Sequence, residues 1–155
     1  MIVESTGFIG IVRTATIDAE TLKVVQAREY RNKINNYLLQ TIIKWLTGTA
    51  NSGSGALLPP TQIQLGNGTG TPTAADTGLW APITGTLKTC DFIQPYQTYY
   101  GQYSLTYQTS DPSGNYTEVG LLDTSGKLWA HVSVNDYKSA SQLYSVQWLI
   151  QAIGN

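Results

Sequence analysis

Residues 65–83 read LGNGTGTPTAADTGLWAPI, and the organisation of the chain can be worked out from this stretch. Its first half alternates small polar residues with glycines that tolerate positive φ, which suits a tightly folded loop. An aspartate follows that can accept hydrogen bonds from nearby backbone, beside apolar residues that can be buried. We therefore predict an ordered structural loop. Its defining residues are Gly66, Gly68, Gly70, Asp76 and Leu79.

The glycine loop does not match the known phosphate-binding patterns. A P-loop ends in Gly-Lys-Ser/Thr, whereas Gly70 is followed by Thr71 and Pro72. A dinucleotide fingerprint spaces its glycines Gly-x-Gly-x-x-Gly at the start of a helix, whereas the spacing here is Gly-x-Gly-x-Gly. We therefore predict no cofactor and no cofactor-binding residues.

A second informative segment, residues 118–123, reads EVGLLD, and residues 125–130 read SGKLWA. Two apolar runs around an Asp-Thr-Ser-Gly turn predict a strand, a turn and a return strand. Glu118 is unusual in such a strand, because a carboxylate among apolar neighbours needs hydrogen-bond partners. Backbone amides or Arg13 are the candidate partners.

Together the glycine loop and this strand pair resemble a widespread family of bacteriophage virion proteins found in tail, tail-fibre and baseplate-type components. That family carries a loop like LGTGTTAPTPSDTAL and then a strand like EAGLFD. The resemblance follows the order of motifs over roughly residues 7–153. It departs where Trp80–Ile83 replaces an Arg-containing strand and where His131 replaces an Arg after Ala. It implies structural roles for Glu118, Gly120 and Leu121.

The resemblance implies a non-catalytic virion structural protein, a tail, tail-fibre or baseplate component, that acts by subunit docking and assembly. Its expected partners are other virion proteins and further copies of itself. A capsid decoration or head-fibre protein of the same fold is one alternative, and a module that binds a host-surface glycan or receptor is another. The expected location is the virion, after synthesis in the host cytoplasm.

Composition is compatible with a subunit that packs against neighbours. Charged residues make up 12% of the 155 residues, against about 25% in typical globular domains. Neutral hydroxyls and amides replace them, and these groups cost less to desolvate than ions. The net charge of −1 gives no electrostatic footprint for nucleic acid. No apolar stretch approaches the length of a membrane helix, so we expect no membrane insertion.

The pattern of elements predicts one domain, residues 1–155, with a possible N-terminal extension 1–6 and a flexible loop 48–60. Short strands separated by turns every 8 to 12 residues predict a mainly β fold. We expect an antiparallel β-sandwich, jelly-roll-like or Ig-like, with one amphipathic helix at about 33–47 packed on it. The residues expected to cap this helix and to form its core face are Asn32, Ile34, Tyr37, Leu38, Ile42, Trp45 and Leu46.

Tyrosines cluster among glutamines in the middle of the chain. Tyrosine supplies contact area at a small entropy cost and carries one polar tip, so it is enriched at protein interfaces and on sugar platforms. We expect part of the set to be core and part to form a subunit interface or a glycan surface. The candidate interface residues are Tyr96, Tyr99, Tyr100, Tyr103 and Tyr107.

Few residues in the sequence are candidates for catalysis or for metal binding. Cys90 and His131 are the single cysteine and the single histidine, so neither an internal disulfide nor a zinc site is expected. We predict His131 to be a half-exposed strand residue and Cys90 to be a small buried group. A glycan-hydrolysing carboxylate pair stays open as a minor alternative. Its candidates, most of them expected in turns or loops, are Asp76, Asp91, Asp111, Glu118, Asp123 and Asp136.

Overall fold

The computed structural model describes residues 7–48, 58–97 and 99–153, and of Lys33, Tyr96 and Gln97 it describes the backbone alone. Within these residues the chain forms two antiparallel sheets and a single helix, which confirms the predicted sandwich. The predicted extension 1–6 and residues 49–57 of the predicted loop lie outside the described residues.

Ten elements follow one another along the described chain. They are β1 (Gly7–Asp18), β2 (Val24–Ile34), α1 (Asn36–Leu46), β3 (Pro60–Gly66), β4 (Lys88–Thr89), β5 (Phe92–Gln97), β6 (Tyr100–Tyr107), β7 (Gly114–Asp123), β8 (Leu128–Lys138) and β9 (Gln142–Ile153). Two of them, β4 and β5, were not predicted from the sequence. Both are short or interrupted by proline, and neither shows a clear alternation of apolar residues.

The described strands follow one hydrogen-bonded order, β4-β3-β7-β8-β2-β1-β9-β6-β5. β2 belongs to both sheets, because it pairs with β1 as far as Asn32 and then with β8 through Lys33 and Ile34. At the two ends of the order, Cys90 and Asp91 join β4 to β5 and carry the chain between the sheets. The chain therefore crosses from one sheet to the other both at β2 and between β4 and β5.

Alternating side chains of the central strands fill the space between the sheets. Trp148 and Tyr144 of β9 are fully buried, and their even spacing along the strand places both side chains on its core face. The buried apolar cluster consists of Val12, Ile63, Leu65, Leu105, Tyr107, Tyr116, Val119, Leu121, Ala130, Val132, Val134, Tyr144, Val146 and Trp148.

Tyr107 is part of this core, so its assignment to a candidate interface is wrong. Its ring is fully buried, and its hydroxyl lies 2.9 Å from the carbonyl of Thr86 and 3.1 Å from that of Ile63. Burial raises the pKa of Tyr107 well above its usual value. The phenol thus links β6 to β3 and to the segment before β4.

The helix buries less of its apolar surface than its sequence predicts. Its N-cap is Asn35, not Asn32, and the Asn35 side chain makes no capping hydrogen bond. Leu38 is buried, and the Tyr37 ring meets Trp129 edge-on at 5.7 Å. Trp45, however, is 72% exposed and Leu46 is 71% exposed, so neither belongs to the core. Among the described strands the helix contacts chiefly β8, and part of its apolar surface is exposed.

Asp123 lies in a turn, as the sequence predicts, whereas Asp136 does not. Asp123 Oδ1 accepts hydrogen bonds from the amides of Ser125 (2.8 Å) and Lys127 (3.1 Å), as predicted for a turn. Asp136 was expected in a loop but lies in β8, buried, where it accepts hydrogen bonds from the hydroxyls of Tyr30 (2.8 Å) and Tyr144 (2.7 Å). The strand continues further than its apolar alternation indicates, because these phenols satisfy the carboxylate.

Candidate functional site

The two motifs identified in the sequence meet on the outer face of one sheet. In β7 and β8 the side chains of Val119 and Val132 point into the core. Glu118, Gly120 and His131 alternate with core residues in these strands and therefore lie on the opposite face. Residues 67–82, here called the cover loop, pack over this face and bury it.

Glu118 fastens the cover loop through backbone amides. Its Oε1 accepts hydrogen bonds from the amides of Gly68 (3.1 Å) and Ala81 (2.7 Å), and its Oε2 accepts one from the amide of Trp80 (2.9 Å). The carboxylate is fully buried. Backbone amides were one of the two partners expected for it. The other, Arg13, donates instead to Glu29 on the surface, with Nε 2.9 Å from Oε2.

The loop glycines are required for close approach to Glu118 and Trp80. A Cβ added to Gly66 would lie 2.4 Å from Glu118 Oε1, and one added to Gly68 would lie 2.6 Å from Trp80 Cβ. The expected reason for glycine, a positive φ, does not apply to either residue or to Gly70, because the described positive-φ glycines lie elsewhere. The loop needs glycine because its backbone lies directly against buried side chains.

Leu79 and Gly120 form a second contact between loop and sheet. A Cβ added to Gly120 would lie 2.9 Å from Leu79 Cδ2 and equally close to Leu128 Cδ1. The missing side chain at Gly120 therefore makes room for Leu79 on the sheet. Leu121, the next strand residue, is fully buried on the core side. The predicted structural residues of both motifs thus belong to one packed unit.

His131 lies at the centre of this unit. Its Nε2 is 2.9 Å from Glu118 Oε2, and its Nδ1 is 2.8 Å from Asp76 Oδ2. The Trp80 ring meets the imidazole at a centroid distance of 4.5 Å. The prediction of a half-exposed histidine is wrong, since the residue is fully buried. Strand alternation placed it on the outer face but gave no sign that the cover loop encloses that face.

Asp76 connects this unit to the start of the helix. Its carboxylate accepts hydrogen bonds from the amide (3.0 Å) and hydroxyl (2.7 Å) of Thr73, which confirms the predicted turn. Partial burial opposes ionisation, but the hydrogen bonds from Thr73 and His131 outweigh it and lower the pKa of Asp76. Its backbone carbonyl accepts from the side-chain amide of Asn35, and the carbonyl of Ala74 accepts from the amide of Asn36 at 2.8 Å.

The side chains of Glu118 and His131 are hydrogen-bonded within the chain. Both oxygens of Glu118 already accept two hydrogen bonds each, and both nitrogens of His131 face carboxylates. In the described part of the chain, no set of three or more His, Cys, Asp or Glu side chains is placed to hold a metal ion. Asp111, another candidate acid, forms an ion pair with Lys88 and accepts from the amide of Gln108 at 2.7 Å.

Three of the predicted interface tyrosines lie around an open apolar groove at the helix end of the sandwich. Tyr99 is 68% exposed, and Tyr100 and Tyr103 are partly buried. The side chain of Tyr96 lies outside the described residues. The groove encloses about 380 Å³, and its principal lining residues are Phe8, Leu38, Ile42, Tyr99, Tyr103 and Trp129.

The helix adds an apolar surface that sequence analysis assigned to the core or overlooked. Leu39, Ile43 and Leu46, spaced i, i+4 and i+7, are 42%, 60% and 71% exposed. Trp45 borders a second groove of about 330 Å³ that also contains Ile42 and Trp129. We call Leu39, Ile43, Trp45 and Leu46 the exposed helix face. Its periodicity was visible in the sequence, but which side the sandwich covers was not.

Comparison with protein-family models, with curated proteins and with solved structures finds no match to this chain. Among the residues that the structure describes, no helix combines the length and the hydrophobicity needed to cross a membrane.

Proposed function

We propose that the protein is a structural component of a bacteriophage virion, of the tail, tail-fibre or baseplate type, that works by docking against other virion subunits. In the sequence, the proposal is supported by the order of the glycine loop and the EVGLLD strand pair. From the structural side, a single observation carries it, the exposed helix face beside an apolar groove.

The exposed helix face supports docking because monomeric proteins rarely leave a contiguous apolar patch of this kind uncovered. Trp45 alone exposes 72% of its surface at the rim of the 330 Å³ groove. Within α1 the described residues carry no carboxylate, and Lys44 is the one cation. A partner would therefore bury apolar surface here at a small cost in desolvated charge.

The state of Glu118, Asp123 and His131 is compatible with a role without turnover. Glu118 and His131 are fully buried and occupied by bonds within the chain, and Asp123 is also fully buried within its turn. A general acid or base must be able to reach a substrate proton directly or through one water. These groups serve the fold, and docking requires no such proton transfer.

Sedimentation velocity of the purified chain tests the proposal, alone and mixed with purified virions or virion subassemblies. We expect either an oligomer or a monomer that co-sediments with particles. The double variant Ile43→Ser with Trp45→Ser should weaken association. Val25→Ser is the matched control, because Val25 is 59% exposed but lies at the end of β2 remote from α1. A monomer that ignores particles would contradict the proposal.

A receptor- or glycan-binding module is the second candidate, and Tyr99 at the groove rim favours it. An exposed tyrosine beside an aromatic groove can stack on a sugar ring. Binding on a glycan array that is lost in Tyr99→Ala would support this candidate over docking. A capsid decoration protein would have the same surfaces, and only its location among separated heads and tails distinguishes it.

A further inference from the structure

We infer that His131 is a buried, doubly protonated imidazolium that bridges two carboxylates, and that this ion triplet is an acid-sensitive latch for the cover loop. The inference concerns the ionic state of the loop and its response to pH, and it holds whichever partner the protein docks against.

Hydrogen-bond geometry assigns the protonation state. A neutral imidazole has one N–H donor and one acceptor nitrogen, whereas the imidazolium has two donors. Nδ1 lies 2.8 Å from Asp76 Oδ2 and Nε2 lies 2.9 Å from Glu118 Oε2. Ionised carboxylates only accept, so both short contacts are satisfied together when both ring nitrogens carry protons.

The partners of each carboxylate indicate that both are ionised. Glu118 receives three backbone N–H donors besides its contact with His131, and donors on both of its oxygens favour the ionised carboxylate. Asp76 receives the amide and the hydroxyl of Thr73 as well as Nδ1. Charge-assisted hydrogen bonds of this kind are roughly twice as strong as neutral ones.

The remaining surroundings of His131 contribute no further ionised side chain in the described contacts. The cover loop places the neutral Trp80 ring against the imidazole. Towards β2, the residue in register with His131 is Lys33, of which the backbone alone is described. Towards β7, the residue in register is Gly120. Among the described side chains, the charged or titratable groups at this site are Asp76, Glu118 and His131.

The latch connects proton binding to loop closure. The pKa of Asp76 is lowered in the folded chain, so its stabilising contribution is present above the usual value of 3.8 and is lost as pH falls through the lowered value. Protonation there removes the negative charge that faces Nδ1–H, and so weakens the ionic connection that runs from Asp76 through His131 to Glu118 and the loop amides. We expect the amides of Gly68, Trp80 and Ala81 to lose protection in acid before the core of the sandwich does.

Nitrogen-15 NMR of the intact chain tests the protonation state without ambiguity, because His131 is the single histidine. At pH 7 we expect both ring nitrogens to resonate close together, as in an imidazolium, with slowly exchanging protons on each. Widely separated nitrogen resonances, which mark a neutral tautomer, would overturn the inference.

Amide hydrogen exchange in Asp76→Asn tests the latch. We expect protection of Trp80 and Ala81, relative to the core amide of Val132, to fall about tenfold or more, because a charged hydrogen-bond partner is lost. Asp123→Asn is the matched control, since Asp123 also accepts backbone amides in a turn and its hydrogen bonds with Ser125, Lys127 and Trp129 lie outside the cover loop. Unchanged relative protection in Asp76→Asn, or an equal loss in both variants, would contradict a latch at Asp76.

Discussion

Individual residues in the cover loop and around it have roles that only their neighbours explain. Glu118 is stable in a buried position because three backbone amides of the loop donate hydrogen bonds to it. Gly68 is needed in the loop because Glu118 and Trp80 leave no room there for a side chain. The sequence predicted that Glu118 needs amide partners. It did not identify which amides, because they lie 37 to 50 residues away in the chain.

Gly68→Ala should destabilise the protein, because its Cβ would lie 2.6 Å from Trp80 Cβ and 2.9 Å from the backbone nitrogen of Ala81. Overpacking of this kind costs about 1–3 kcal/mol. Gly78→Ala is the control in the same loop, since no atom lies within 4 Å of its Cβ position. Urea denaturation monitored by tryptophan fluorescence measures both. Equal stabilities for the two variants would contradict the packing described here.

Cys90 should react slowly with thiol reagents at neutral pH. Burial, with a smaller contribution from Asp91, raises the pKa of its thiol from 9.0 to about 11. The thiolate fraction at pH 7.5 is then about 100-fold lower than for an unperturbed thiol, and the thiolate is the reactive form. Iodoacetamide labelling followed by mass spectrometry measures the rate, which should rise steadily between pH 8 and 10. Rapid labelling at pH 7.5 would show that the thiol is accessible and ionised.

At the scale of elements, the strands were predicted more accurately than the residues that surround the helix. The pairing of β7 with β8 was predicted from two apolar runs around an Asp-Thr-Ser-Gly turn, because the sequence itself carries the signal for a strand, a turn and a return strand. The helix was located from its period, but its capping residue and its covered side were not. Those depend on where β8 and the cover loop meet the helix, through Trp129 and through hydrogen bonds to Asn35 and Asn36.

Leu38→Ala and Ile43→Ala should differ sharply in stability, although both remove apolar atoms from α1. Leu38 is 2% exposed, so its truncation leaves a cavity and costs about 2–5 kcal/mol. Ile43 is 60% exposed, so its truncation should change the free energy of unfolding of the isolated chain by about 0.5 kcal/mol or less. Guanidinium denaturation compares them. A large cost at Ile43 would mean that this face is already covered in the purified protein.

At the scale of the whole molecule, the cover loop forms a third layer on the outer face of one sheet. Apolar periodicity predicted the two sheets, since each contributes one face to a shared core. It could not predict the third layer, because Asp76, Glu118 and His131 are polar and resemble surface residues in a one-dimensional pattern. These side chains can be buried because they pair with one another. The pairing cannot be read from the sequence, where the three residues are far apart.

The whole protein should lose stability in acid over a defined range. The pKa values of Asp111 and Asp123 are lowered as well as that of Asp76. Desolvation opposes the lowering of the pKa at Asp111 and Asp123. Hydrogen bonds from Lys88 and Gln108 outweigh it at Asp111, and hydrogen bonds from Ser125 and Lys127 outweigh it at Asp123. Stability from these groups is present above pH 3.8 and decreases below it. Thermal unfolding followed by circular dichroism should show a falling midpoint from pH 4 to pH 2. A midpoint unchanged at pH 2.5 would contradict this assignment.

Quantitative mass spectrometry of purified particles tests the virion assignment most directly. The particles should come from a phage whose genome is found to contain this sequence, and they should be separated into heads and tails. The account predicts that the chain is present in the tail fraction at a fixed ratio to other structural proteins. Detection only in the particle-free lysate of infected cells would contradict it.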